Sequence, residues 1–133
     1  PNDCPFRTAD RLLEELDTKL VVVDFHAEAT GEKGALGYYL DGRVSAVLGT
    51  HTHVQTSDAR ILPKGTGFQS DVGMTGPMES VLGIAPQTII QKTVTHLPVR
   101  FEVQDLPCML NATLLEIDES NGHCVSILPI KIV

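Results

Sequence analysis

Three features of this chain predict an α/β fold. Two apolar β-branched runs, residues 20–25 and 44–48, are separated by a stretch with helical spacing, the order of a crossover between parallel strands. Short strand-like segments follow around the turn Pro63-Lys64-Gly65-Thr66. The chain then closes on a hairpin pattern, residues 109–117 and 124–132, joined near Asn121-Gly122, a favoured tight-turn pair. Residues 1–133 are expected to form part of one domain, with no internal repeat and no linker.

Taken in order, Thr8 is placed to cap a first helix whose Ala9, Leu12, Leu13 and Leu16 form one apolar stripe, with Asp10 in its first turn. The strand over 20–25 is apolar on both faces apart from Asp24, as expected of a parallel strand covered on both sides. A second helix is expected over 28–40, ended by Gly42. Its glycines Gly31, Gly34 and Gly37 lower helix propensity and suggest close packing of that face. Strands at 60–62 and 67–72 come next, then a loop, then a short helix from Pro77 to 82. Pro86 opens another helix carrying Ile89, Ile90, Val94 and Leu97, and Val99, Phe101 and Val103 alternate as a half-buried strand.

Composition narrows the function classes. The chain has 42% hydrophobic and 20% charged residues, those of an ordinary globular protein, and no apolar run reaches the ~20 residues of a membrane helix. A net charge of −7 argues against an extended nucleic-acid surface, because no basic patch exists to displace phosphate counterions. An acidic protein still acts on a small phosphate ester where a bound metal supplies positive charge. The three cysteines, Cys4, Cys108 and Cys124, lack C-x-x-C spacing and read as thiols of a reducing cytoplasm.

The chemistry centres on Gly49-Thr50-His51-Thr52-His53, an H-x-H at the end of one strand, and on His26, which ends the other. Parallel strands would deliver all three imidazoles to the crevice at one sheet edge, and imidazole is a common ligand for divalent metals. Two-metal hydrolytic centres also need carboxylates to offset charge. Asp24 is a candidate to accept a hydrogen bond from a ligand His, or else caps a loop amide; Asp71 is a second acidic candidate. Glu28 and Glu32 sit where a helix begins, where the dipole alone accounts for them as well as a site would. His96 and His123 read as helix-end and hairpin-turn residues.

Three segments carry a resemblance: Asp24-Phe25-His26-Ala27-Glu28-Ala29-Thr30, Gly49-Thr50-His51-Thr52-His53-Val54-Gln55-Thr56, and Ser70-Asp71-Val72-Gly73-Met74-Thr75-Gly76-Pro77. In this order they resemble the signatures of the YmdB-like family of calcineurin-type metallophosphoesterases, and residues 97–103 resemble the same family further on. The resemblance implies half of a two-sheet α/β/β/α sandwich. It implies two divalent ions (Fe, Mn or Zn) and hydrolysis of 2′,3′-cyclic nucleotides to 3′-phosphates by a metal-bound hydroxide. His26 and His51 would bind one ion and His53 the other. Thr30 and Thr75 fall in the same segments and join Asp24, Glu28 and Asp71 as candidates to support the ligands or the substrate loop. The family's opening motifs, with an Asp, a bridging acid, an Asn and a catalytic His, have no match here. The chain is therefore expected to be the C-terminal half, with no catalytic acid of its own, and to expose apolar faces that the other half or a second copy would cover. Two rivals stand beside this: a non-catalytic metal-binding or structural half-domain, and an H-x-H amidohydrolase, whose ~250-residue barrel is too long for this chain.

Overall fold

The computed structural model describes residues 3–105 and 107–133. Helix α1 (Pro5–Glu14) leads into strand β1 (Val22–His26), helix α2 (Thr30–Tyr39) and strand β2 (Ala46–Thr50). Short strands β3 (Arg60–Ile61), β4 (Gly67–Gln69) and β5 (Gly76–Pro77) precede helix α3 (Pro86–Thr95) and the hairpin β6 (Cys108–Ile117) and β7 (Cys124–Ile132). Two sheets result: a four-stranded one in the order β1-β2-β4-β3, and a three-stranded one in the order β5-β6-β7. β1, β2 and β4 run parallel, β3 is antiparallel to β4, and the second sheet is antiparallel throughout. The expected α/β class, the crossover and the C-terminal hairpin are all present.

The core lies between the helices and the first sheet. Leu36 and Leu40 of α2 meet Val44, Val47, Leu62 and Phe68, and Phe6, Ala9 and Leu13 of α1 pack against the same cluster. On the other face β7 lies against β3 and β4. There the Thr113 hydroxyl donates to Gln69 Oε1 at 2.7 Å, and the Cys124 amide to the Gly65 carbonyl at 2.8 Å. β2 is thus covered on both sides, with Ala46 and Val47 wholly buried.

β1 departs from the expected double cover. It is an edge strand whose outward residues lie beyond the reach of the hairpin, so Val22 is 51% exposed and Asp24 is exposed as well. The first helix begins at Pro5, whose fixed φ suits the first turn, so Thr8 is interior rather than capping. Asp10, also interior, accepts hydrogen bonds from the Tyr39 hydroxyl at 2.5 Å and from Arg43 at 2.6 Å, tying α1 to α2. Pro77 does not open a helix, because Gly76 and Pro77 pair with Met109 and Cys108 as a strand. Residues 99–103 form no strand of their own: only Val103 makes a bridge, to Ile84, and Phe101 remains half exposed beneath the Lys92 ammonium. Alternation without a partner strand is not enough to make a sheet.

Candidate metal centre

The parallel register of β1 and β2 sets His26 opposite Thr50, so His26 and His51 emerge side by side at the carboxyl edge of the sheet. His26 Nε2 lies 3.2 Å from His51 Nδ1, the rings crossing nearly edge to face with centroids 5.0 Å apart. The other nitrogen, His26 Nδ1, is 3.1 Å from Thr50 Oγ1. That hydroxyl donates to Asp24 Oδ1 at 3.2 Å, so its oxygen accepts from the His26 N–H. Asp24, Thr50 and His26 thus form a relay that protonates Nδ1 and leaves the Nε2 lone pair facing His51. Asp24 reaches the imidazole through Thr50 rather than by accepting from it directly.

His53 goes elsewhere. Its Nδ1 lies 3.3 Å from the Leu82 carbonyl, which can only accept, so the proton sits on Nδ1 and the Nε2 lone pair is unused by that bond. The structure therefore pairs His26 with His51 and holds His53 apart. Among the described residues, no three His, Cys, Asp or Glu side chains converge to hold an ion by themselves.

The loop that carries the H-x-H is strained and firmly held. His51 and His53 have φ of 122° and 65°, a region non-glycine residues avoid at a cost of ~1–3 kcal/mol each. Asp71 over-determines this backbone: its Oδ2 accepts the Thr52 amide at 2.7 Å, between the two histidines, and its Oδ1 accepts the Gly73 amide at 2.9 Å. Burial pushes the Asp71 carboxyl up, but donation from the Thr52 and Gly73 amides and from Lys33 outweighs it and holds the carboxyl below the usual range. Met74 N donates to the His53 carbonyl at 3.2 Å, and Val72 N to the Gly49 carbonyl at 2.9 Å. Gln55 Nε2 reaches the carbonyls of Ala112 and Ile130 at 3.0 and 3.2 Å, fastening the loop to the hairpin.

The remaining expected residues take quieter places. Glu28 is exposed just before α2, and Thr30 is the exposed first residue of that helix. The Thr75 hydroxyl donates to the Asn111 carbonyl at 3.3 Å, in the loop before β5. His96 ends α3 in the left-handed conformation and His123 lies in the hairpin connection, both as expected. Thr50 and Gln55 escaped the sequence reading although both adjoin the motif. Aligning the two parallel strands would have set Thr50 beside His26.

A two-sheet α/β protein with an imidazole pair at its parallel-strand ends is the class that fold and site define. The chain belongs to the family described as YmdB-like protein, whose profile matches residues 1–130. It is 53% identical over 129 residues to a 2′,3′-cyclic-nucleotide 2′-phosphodiesterase of Bacillus subtilis (strain 168), covering 96% of this chain and 49% of that protein. A crystal structure of a hypothetical protein from Thermus thermophilus superposes with a TM-score of 0.93 at 49% identity, over 99% of this chain and 52% of the other. A crystal structure described as a novel phosphatase of Mycoplasma pneumoniae gives a TM-score of 0.91 at 39% identity, over 96% of this chain and 46% of the other. The chain spans about half the length of the relatives it matches.

Proposed function

We propose that this chain carries the closing half of a divalent-metal phosphodiesterase centre that opens 2′,3′-cyclic nucleotides to 3′-phosphates. The observation that carries the reading is the 3.2 Å separation of His26 Nε2 and His51 Nδ1. Metal–imidazole bonds of ~2.0–2.1 Å meeting at roughly 100° put two nitrogens ~3.2 Å apart, so the pair has the spacing of neighbouring ligands of one ion. His53, with its Nε2 lone pair unused, would serve a second ion, and the neutral imidazoles suit Fe or Zn, with Mn suited once carboxylates complete the set. Bound divalent ions supply Lewis-acid activation of water and of the phosphoryl oxygens.

The chain's own residues contribute orientation. The Asp24–Thr50 relay keeps His26 in the tautomer that ligation needs, and Asp71 holds the peptide between His51 and His53. In the reaction a water oxygen bonds to phosphorus, the bond from phosphorus to the ribose 2′ oxygen breaks, and that oxygen takes a proton. The remaining ligands, the bridging carboxylate and the proton donor would come from a further segment of the length by which the relatives exceed this chain. The three cysteines, odd in number and without C-x-x-C spacing, support a reducing, cytoplasmic setting. No helix among the described residues is long and apolar enough to cross a membrane.

The test is hydrolysis of 2′,3′-cyclic AMP with added Mn²⁺ or Fe²⁺, for the chain alone and for a protein of the relatives' length that contains it. The longer protein is expected to turn over and to lose turnover with His51→Ala or His53→Ala, while the chain alone is negligible. Equal turnover by the chain alone would overturn this division of labour. Retained turnover in both histidine variants would overturn the assignment of the ligands.

A further inference from the structure

We infer that Lys33 is a positioning residue for the H-x-H loop, acting through Asp71; the inference rests on the proposed metal-ligand role of His26 and His51. Lys33 stands on α2, where an isolated lysine ordinarily faces solvent, yet it is 1% exposed. Among the described residues its ammonium pairs with Asp71 Oδ2 at 3.2 Å, on a residue itself only 2% exposed. That same oxygen accepts the amide of Thr52. A continuous connection therefore runs from the α2 side chain, through one carboxylate, to the peptide between His51 and His53.

The surroundings leave the connection little slack. Gly49 lies two residues before His51, and a Cβ there would come within 1.9 Å of the Ser70 carbonyl oxygen and 2.8 Å of Lys33 Cδ. The lysine stem is thus wedged against the strand end from which the histidines spring. Without the ammonium, Asp71 would be a buried carboxylate with no cation beside it among the described residues, left with the amides of Thr52 and Gly73 and the Thr52 hydroxyl. It would then be drawn toward water, and Thr52 would lose its anchor.

A buried ion pair is weak evidence for stability, since apolar side chains of similar volume often replace one at little cost. What points to positioning is its location, under a backbone held at φ values that relax unless restrained. A merely structural pair predicts a lower melting temperature and nothing more. A positioning residue predicts a change in the imidazole pair of molecules that remain folded.

Lys33→Met keeps the length of the stem and removes the charge. The experiment makes the change in a protein of the relatives' length that contains this chain and compares variant with parent by circular dichroism, by nuclear Overhauser contacts between the rings of His26 and His51 without metal, and by calorimetric titration with Co²⁺. The expected result is a folded variant in which the ring contact is lost and Co²⁺ affinity falls about 10–100-fold, the range for groups that orient ligands. Unchanged ring contacts and unchanged Co²⁺ affinity in the folded variant overturn the inference. Should Lys33→Met fail to fold, the isosteric Asp71→Asn is read for the same ring contact, whose loss supports the connection and whose persistence overturns it. If that longer parent itself binds no Co²⁺, the metal reading of the site falls, and the ring contact still decides whether Lys33 positions the loop.

Discussion

At the residue scale, the site depends on individual hydrogen-bonding groups. Thr50 offers one hydroxyl, which bridges a carboxylate and an imidazole. Thr50→Val keeps the shape and removes the bridge. Co²⁺ affinity is then expected to fall roughly 10-fold, with stability changing by about 1 kcal/mol, as titration and urea unfolding would show. A loss of stability without any loss of affinity would assign Thr50 to packing alone. Asp71 carries a pH consequence. Its folded pKa lies below its unfolded value, so its contribution is complete above the ordinary carboxylate range near ~3.9 and is lost as the pH falls through the lower folded value. Melting curves from pH 6 down to pH 2 should converge for the parent and Asp71→Asn at the acid end. The meeting of His26 and His51 was legible because each closes a β-branched run, whereas the separate place of His53 and the role of Lys33 were not. A lysine on a helix looks like solvent-facing charge until its burial is seen.

At the element scale, the paired strands were readable apart from β5, whose Pro77 reads as the start of a helix. β1, β2 and the hairpin show their periods in the sequence because pairing and burial select the same residues. The segment from 99 to 103 has the right alternation but lacks a neighbouring strand among the described residues, and Pro77 was claimed by the edge of β6 before any helix could form. The α2 glycines divide similarly. A Cβ on Gly37 would sit 2.6 Å from the Phe68 ring, while one on Gly34 would meet nothing within 4 Å. Gly37→Ala is therefore expected to destabilise by ~1–3 kcal/mol through overpacking, and Gly34→Ala to stabilise by ~0.5–1 kcal/mol through helix propensity. Urea denaturation of the two variants gives the signs directly, and a shared sign would refute this division of the helix.

At the scale of the whole molecule, the apolar surface exceeds what the chain can bury. α1 and β1 border a groove of about 380 Å³ whose walls include Leu12, Leu16 and Val22, each about half exposed. The hairpin presents a second bare face, where register brings Leu114 opposite Leu128 and Leu110 opposite Ile132, all of them exposed. β1 is also one of the two edges of the first sheet, where backbone groups can pair with another strand. An apolar groove beside an open strand edge favours contact with another chain, and contiguous patches of this kind are uncommon on stable monomers. The isolated chain should therefore self-associate as its concentration rises, seen in sedimentation velocity as a weight-average mass climbing above that of the monomer. Val22→Lys places a charge beside the groove on the edge strand, and Leu128→Lys places one in the middle of the hairpin face. Whichever substitution restores the monomer identifies the face responsible, and a parent chain that stays monomeric at millimolar concentration would show that neither face is sticky enough to matter.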